Sequence, residues 1–205
     1  MSAIASELVA VIPSLFCWQS YDPAVKADLF STALVTHDAA FIIDPIPLHS
    51  SQISQLRREG RIAGIVVTNA NHQRAAAWYS DQFSAPIFAH RDSFQDKNPA
   101  RFVEIRDGTK IDHLEVIQID GAVAGELALY HSPDDGTLIV GDALINFEPH
   151  GFTFLPRKYC ADEKQMRRSL RKLLGRKVER IFFSHGMPIL ADATARLQQL
   201  LDVDP

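Results

Sequence analysis

Twice along this chain, a series of short apolar, β-rich runs gives way to a helix and then to a returning strand. That doubled order constrains the fold more than any other feature. In the first half, Leu8 to Trp18 is apolar and β-rich, and Pro13 predicts an edge position or a bulge there. Asp28 to Thr36 and Ala39 to Asp44 flank the short turn His37-Asp38, a hairpin pattern. Ser50 or Ser51 can cap a helix that carries Ile53 and Leu56 on one face and ends at Gly60. Ile62 to Val67 is a fully apolar strand. The polar segment Thr68 to Arg74 then leads into a helix over roughly Arg74 to Phe83 and a strand at Pro86 to Ala89.

The second half follows the same order with a different sequence. Leu114 to Ile119 and Glu126 to His131 read as strands, and Asp134-Asp135-Gly136 turns the chain into Thr137 to Val140. A loop rich in Pro, Gly and aromatic residues runs from Phe147 to Cys160. Asp162 caps a helix with Gln165 in capping-box position and Met166, Leu170, Leu173 and Leu174 on one face. Val178 to Phe183 is the returning strand, and Ala191 to Leu201 the closing helix. Two sheets packed face to face with helices outside would bury all these faces. The expectation is an α+β, four-layer αββα sandwich formed as a single domain over residues 1–205.

Composition narrows the function classes. With 46% apolar and 22% charged residues the chain suits a globular protein with a sizeable core. A net charge of −4 gives no field for a polyanion, so nucleic acid is not an expected partner. The amino-terminal stretch lacks a basic leader region and no apolar run is long enough to span a bilayer. With two distant cysteines, Cys17 and Cys160, and no disulfide framework, the expected compartment is the cytoplasm. Apolar stretches near the amino terminus leave a homodimer open.

Three segments, in order, carry a resemblance: the hairpin ADLFSTALVTHDAAFIIDP, the segment GDAL at Gly141 to Leu144, and FSHG at Phe183 to Gly186. Together they resemble the metallo-β-lactamase superfamily. The resemblance implies that Asp142 stands at that family's metal-bridging aspartate and His185 at its last histidine ligand. Thr68 to Arg74 falls where the family carries His-x-His-x-Asp-His. Set on the Thr that precedes that motif, Asn69 and Asn71 take the first two His positions, Gln73 the Asp and Arg74 the third His. Ala122, in Gly121 to Gly125, takes the place of a further His.

These departures matter chemically. Zinc takes about four donors from imidazole, thiolate or carboxylate. Asn and Gln are poor donors, Ala is none, and the Arg guanidinium has no lone pair to give. The first expectation is therefore a zinc-free member, a pseudoenzyme or a binding module, with no cofactor. In it Arg74 pairs with Asp142, and Asn69, Asn71, Gln73 and His185 line the old metal cavity, which is open to a small molecule or a partner. The second is a hydrolase with a reduced mononuclear site of Asp142, His185 and His72, holding zinc, iron or manganese. In it, His72 moves inward by one register step. The third is a polyanion-binding face on the helix 163–177, built from Arg167, Arg168, Arg171 and Lys172. Against it stands the simpler reading of a solvated helix whose cations complement the macrodipole.

Overall fold

The computed structural model describes residues 4–202. By contacts the chain divides after Glu104 into two units. The first unit holds strands β1 (Val9–Ile12), β2 (Leu15–Asp22), β3 (Ala27–Thr36) and β4 (Ala39–Ile43), then helix α1 (Ser50–Glu59) and strand β5 (Arg61–Val67). Helix α2 (Ala76–Phe83) and strands β6 (Ile87–Ala89) and β7 (Phe102–Glu104) complete it. The seven strands form one sheet in sequence order. It is antiparallel as far as β4 and parallel from β4 to β7.

Several local expectations shift. The stretch read as one strand from Leu8 to Trp18 is two strands, β1 and β2, joined at Pro13-Ser14. Pro13 has no N–H to give a ladder, so it serves the turn instead. His49, not Ser50 or Ser51, caps α1: its side chain accepts from the Ser51 amide. Helix α2 starts at Ala76 rather than Arg74, because Arg74 sits in the left-handed region at φ 38° and cannot lie in a right-handed helix. The hairpin at His37-Asp38 stands as expected, with His37 at φ 52°. On one face of this sheet Ile53 and Leu56 of α1 and Ala76 and Tyr79 of α2 pack with Trp18, Ile42, Ile65 and Ile87.

The second unit has strands β8 (Lys110–Ile111), β9 (Leu114–Gln118), β10 (Leu127–His131), β11 (Thr137–Val140), β12 (Leu144–Phe147) and β13 (Gly151–Phe154). Helix α3 (Glu163–Leu170), strand β14 (Arg180–Phe183) and helix α4 (Ala193–Asp202) follow. Its sheet runs β14-β11-β10-β9-β8, and β12 and β13 form a separate hairpin. The segment expected to be a loop from Phe147 to Cys160 thus contains a strand. Its aromatics fold it onto the body: Phe152 lies 5.7 Å from the Phe183 ring.

Asp162 caps α3 as expected, accepting the Gln165 amide at 3.0 Å. The helix is shorter than its apolar pattern and tightens at Arg171–Gly175 into a 3-10 turn. Met166, Leu170 and Leu173 pack with Ile117, Leu138, Val140, Phe183 and Leu197. Among the described residues no helix is long and apolar enough to cross a membrane.

Candidate functional site

In both units the candidate side chains stand where parallel strands end. That is where α/β sheets leave room for ligands, because the loops there diverge. In the first unit, β4 ends into Asp44 and β5 into Thr68. Asp44 is fully buried, at φ 49°, and its amide donates to the Val66 carbonyl at 2.9 Å. Its carboxylate accepts three groups. The Thr68 amide donates to Oδ1 at 2.8 Å, the Thr68 hydroxyl to Oδ2 at 2.6 Å, and His72 Nδ1 lies 3.0 Å from Oδ2. Thr68 Oγ1 is also 2.9 Å from His72 Nδ1.

His72 is 1% exposed. A buried imidazole whose Nδ1–H donates to a carboxylate has its ring orientation fixed, and in the neutral form its Nε2 carries the lone pair. That is how proteins orient and strengthen metal-ligating histidines. The histidine that the second expectation moved inward by one register step is therefore held by two buried partners, Asp44 and Thr68. Asp44 and Thr68 were not among the expected site residues. Their signal was faint, an Asp closing a hairpin strand before Pro45, which reads as a turn former.

The other motif residues serve the loop itself. Asn69 is buried, and its Oδ1 accepts the Asn71 amide at 2.9 Å in a local turn. Gln73 donates from Nε2 to the Ser93 carbonyl at 2.6 Å. Arg74 donates from one guanidinium nitrogen to the carbonyls of Phe30, at 2.6 Å, and Asp44, at 3.0 Å. Asn71 and Gln73 also line a cleft of about 350 Å³ with Phe94, Gln95, Asp96 and Lys97.

In the second unit, β11 and β14 are parallel neighbours in register Val140 to Phe183, so Asp142 and His185 leave the sheet side by side. His185 Nε2 lies 3.3 Å from Asp142 Oδ1. Asp142 is 5% exposed. The amide of Ser184 donates to the Val140 carbonyl at 3.2 Å, and the Asn146 amide to the His185 carbonyl at 3.1 Å. Both bonds fix the backbone that carries His185. Ala122 packs into the hydrophobic core of this unit, with no donor to offer. Cys160 is a free thiol, half-buried, donating toward the Leu155 carbonyl at 3.4 Å. Burial pushes its pKa up, so it is not an activated nucleophile.

His72 in the first unit, and Asp142 and His185 in the second, each offer an atom of the kind that ligates metal ions. Two imidazoles and a carboxylate form the donor set of many catalytic zinc sites, three protein ligands with a position left for water or substrate. The expectation of no cofactor thus finds no support in this donor set.

The cations of the basic helix are largely engaged. Arg167 pairs with Glu163 at 2.7 Å and stacks over Phe154 at 4.5 Å. Arg168 donates to the Lys164 carbonyl at 3.3 Å, and Arg171 to the Leu201 carbonyl at 2.7 Å. Lys172 donates to the Gln118 carbonyl at 2.9 Å.

Residues 9–203 match the family described as the metallo-β-lactamase superfamily. The chain belongs to that superfamily. Its α+β sandwich is shared by solved members at low sequence identity. The metallo-β-lactamase DIM-1, in a crystal exposed to ceftazidime, aligns over 100% of both chains with a TM-score of 0.77 at 16% identity. A metallo-β-lactamase family protein from Thermus thermophilus covers 95% of this chain and 80% of its own, with a TM-score of 0.70 at 17% identity. A metallo-β-lactamase from Pontibacter korlensis covers 96% and 98%, with a TM-score of 0.73 at 14% identity. No curated protein matches the sequence.

Proposed function

We propose that this superfamily member holds one metal ion through His72, Asp142 and His185 and acts as a mononuclear hydrolase. The observation that carries the reading is the buried Asp44–Thr68–His72 network, which presents one imidazole nitrogen as a donor. A ligating histidine gains basicity and a fixed orientation from such a carboxylate. Zinc suits two imidazoles and a carboxylate best; iron and manganese accept the same donors. The chemistry such an ion supplies is Lewis acidity toward a carbonyl or phosphoryl oxygen. The chain's own residues orient the donors: Asp44 fixes the His72 ring, and the β11 and β14 ends fix Asp142 and His185. The cleft lined by Asn71, Gln73, Asp96 and Lys97 offers amides and both charge signs to a small polar substrate.

A second reading rests on Arg74. Its half-buried guanidinium, tied to the Phe30 and Asp44 carbonyls, would pair with Asp142 and take the place of the metal charge. The protein is then metal-free and its cavity binds a small molecule without hydrolysing it.

Metal analysis separates the two. Protein purified without chelator is assayed for zinc, iron and manganese, alongside His72→Ala and Asp142→Ala. The first reading expects about one ion per chain, lost in both variants. Metal-free wild-type protein that cannot be loaded with zinc contradicts it. In that case a stability coupling of about 1–4 kcal/mol between Arg74→Ala and Asp142→Ala is the signature of the second reading.

A further inference from the structure

The structure assigns Glu126 as a positioning residue for the Asp142 carboxylate; this assignment rests on the proposed metal site. Glu126 lies between Gly125, at φ 73°, and the start of β10, and is only 2% exposed. Its Oε1 accepts the Ala143 amide at 2.9 Å. Ala143 is itself 1% exposed, and its carbonyl accepts the Leu155 amide at 3.2 Å. The residue after Asp142 is therefore clamped on both sides, by a side chain at its N–H and by a backbone at its carbonyl. Fixing the Ala143 N–H fixes the peptide plane between Asp142 and Ala143. That plane sets the backbone from which the Asp142 side chain leaves toward His185 Nε2.

Burying a carboxyl group costs several kcal/mol unless its bonds repay it, and the Ala143 amide is one of the donors that do so. The strand that follows is apolar, with Leu127, Ala128 and Leu129 all buried, so Glu126 is the polar side chain at the point where β10 begins. Glu126 touches no metal and no substrate in this assignment and acts through the backbone. Partners of this kind, one step removed from the ligands, change metal affinity by about 10–100-fold when they are lost.

The test compares wild type, Glu126→Gln and Glu126→Ala in two measurements. Zinc affinity is read by competition with a chromophoric chelator. Deuterium exchange of the Ala143 amide is read by NMR in the zinc-free proteins. Gln keeps the acceptor oxygen, so Glu126→Gln should hold zinc within about threefold of wild type and keep the Ala143 amide protected. Glu126→Ala should lose at least about tenfold in zinc affinity and expose that amide. Zinc affinity in Glu126→Ala equal to wild type overturns the assignment. So does a Gln variant as weak as the Ala variant, since charge rather than the hydrogen bond would then be responsible. If wild-type protein takes no zinc, the metal reading fails, and Ala143 exchange still judges the clamp: equal protection in Glu126→Ala overturns it.

Discussion

Asp44 shows how one carboxylate can serve both fold and site. It is fully buried, yet it joins strand β4 to the loop after β5 through Thr68 and His72. Removing it leaves a buried amide, a hydroxyl and an imidazole without their acceptor. Asp44→Ala should therefore lower stability by about 3 kcal/mol, read from urea unfolding of the zinc-free protein. A loss below about 1 kcal/mol would mean that the network is not formed. His131 supplies a second prediction. It is 3% exposed, its Nδ1 finds no partner among the described residues, and burial pushes its pKa below the usual histidine value. The backbone carbonyl of His113 and the charges of Asp134 and Asp112 oppose that shift without cancelling it. The unfolded chain therefore takes up a proton near pH 6.5 that the folded chain refuses. Stability contributed here is complete above that pH and falls as the pH drops through about 6.5. His131→Gln should flatten that part of the stability curve between about pH 7.5 and 5.5, and an unchanged slope would contradict the burial argument.

At the level of elements, strand ends and turns decide where chemistry can stand. Gly186 follows His185 at φ +104°, and a methyl group there would collide with the Asn146 carbonyl. Only glycine keeps both that backbone and the bond from Met187 N to Asn146 O at 2.9 Å. Gly186→Ala should cost at least about 2 kcal/mol in thermal or denaturant unfolding and weaken zinc binding with it. Retention of both would show that the loop after β14 tolerates another path. The elements also show what a sequence can reveal. Apolar runs punctuated by Gly, Pro and Asp marked most strands and the helices α1 to α4, because period and turn chemistry are local. The single strand expected from Leu8 to Trp18 and the β12–β13 hairpin were misread, since pairing between strands depends on more than local pattern. His72 entered the expected site only through a one-residue shift of the motif register, because alignment by motif spacing assumes unchanged ligand positions. Its role depends on Asp44, far earlier in the chain, and no local pattern carries that link. Glu126 was hidden in the same way, as a charge at the start of an apolar strand.

At the scale of the whole molecule, the family was legible because its segments keep their order along 205 residues even where each is weak. The polar loop Thr68 to Arg74 was legible too, but not what its residues do. Replacing histidines removes donors from a list, while the remaining donors are judged by burial and by the groups behind them. The central proposal is that His72, Asp142 and His185 hold one metal ion. Its most direct test is X-ray diffraction at the zinc absorption edge from crystals of zinc-loaded protein. The account predicts one anomalous peak bonded to His72 Nε2, the Asp142 carboxylate and His185. Anomalous density elsewhere, or none there with the Arg74 guanidinium on Asp142, would contradict it.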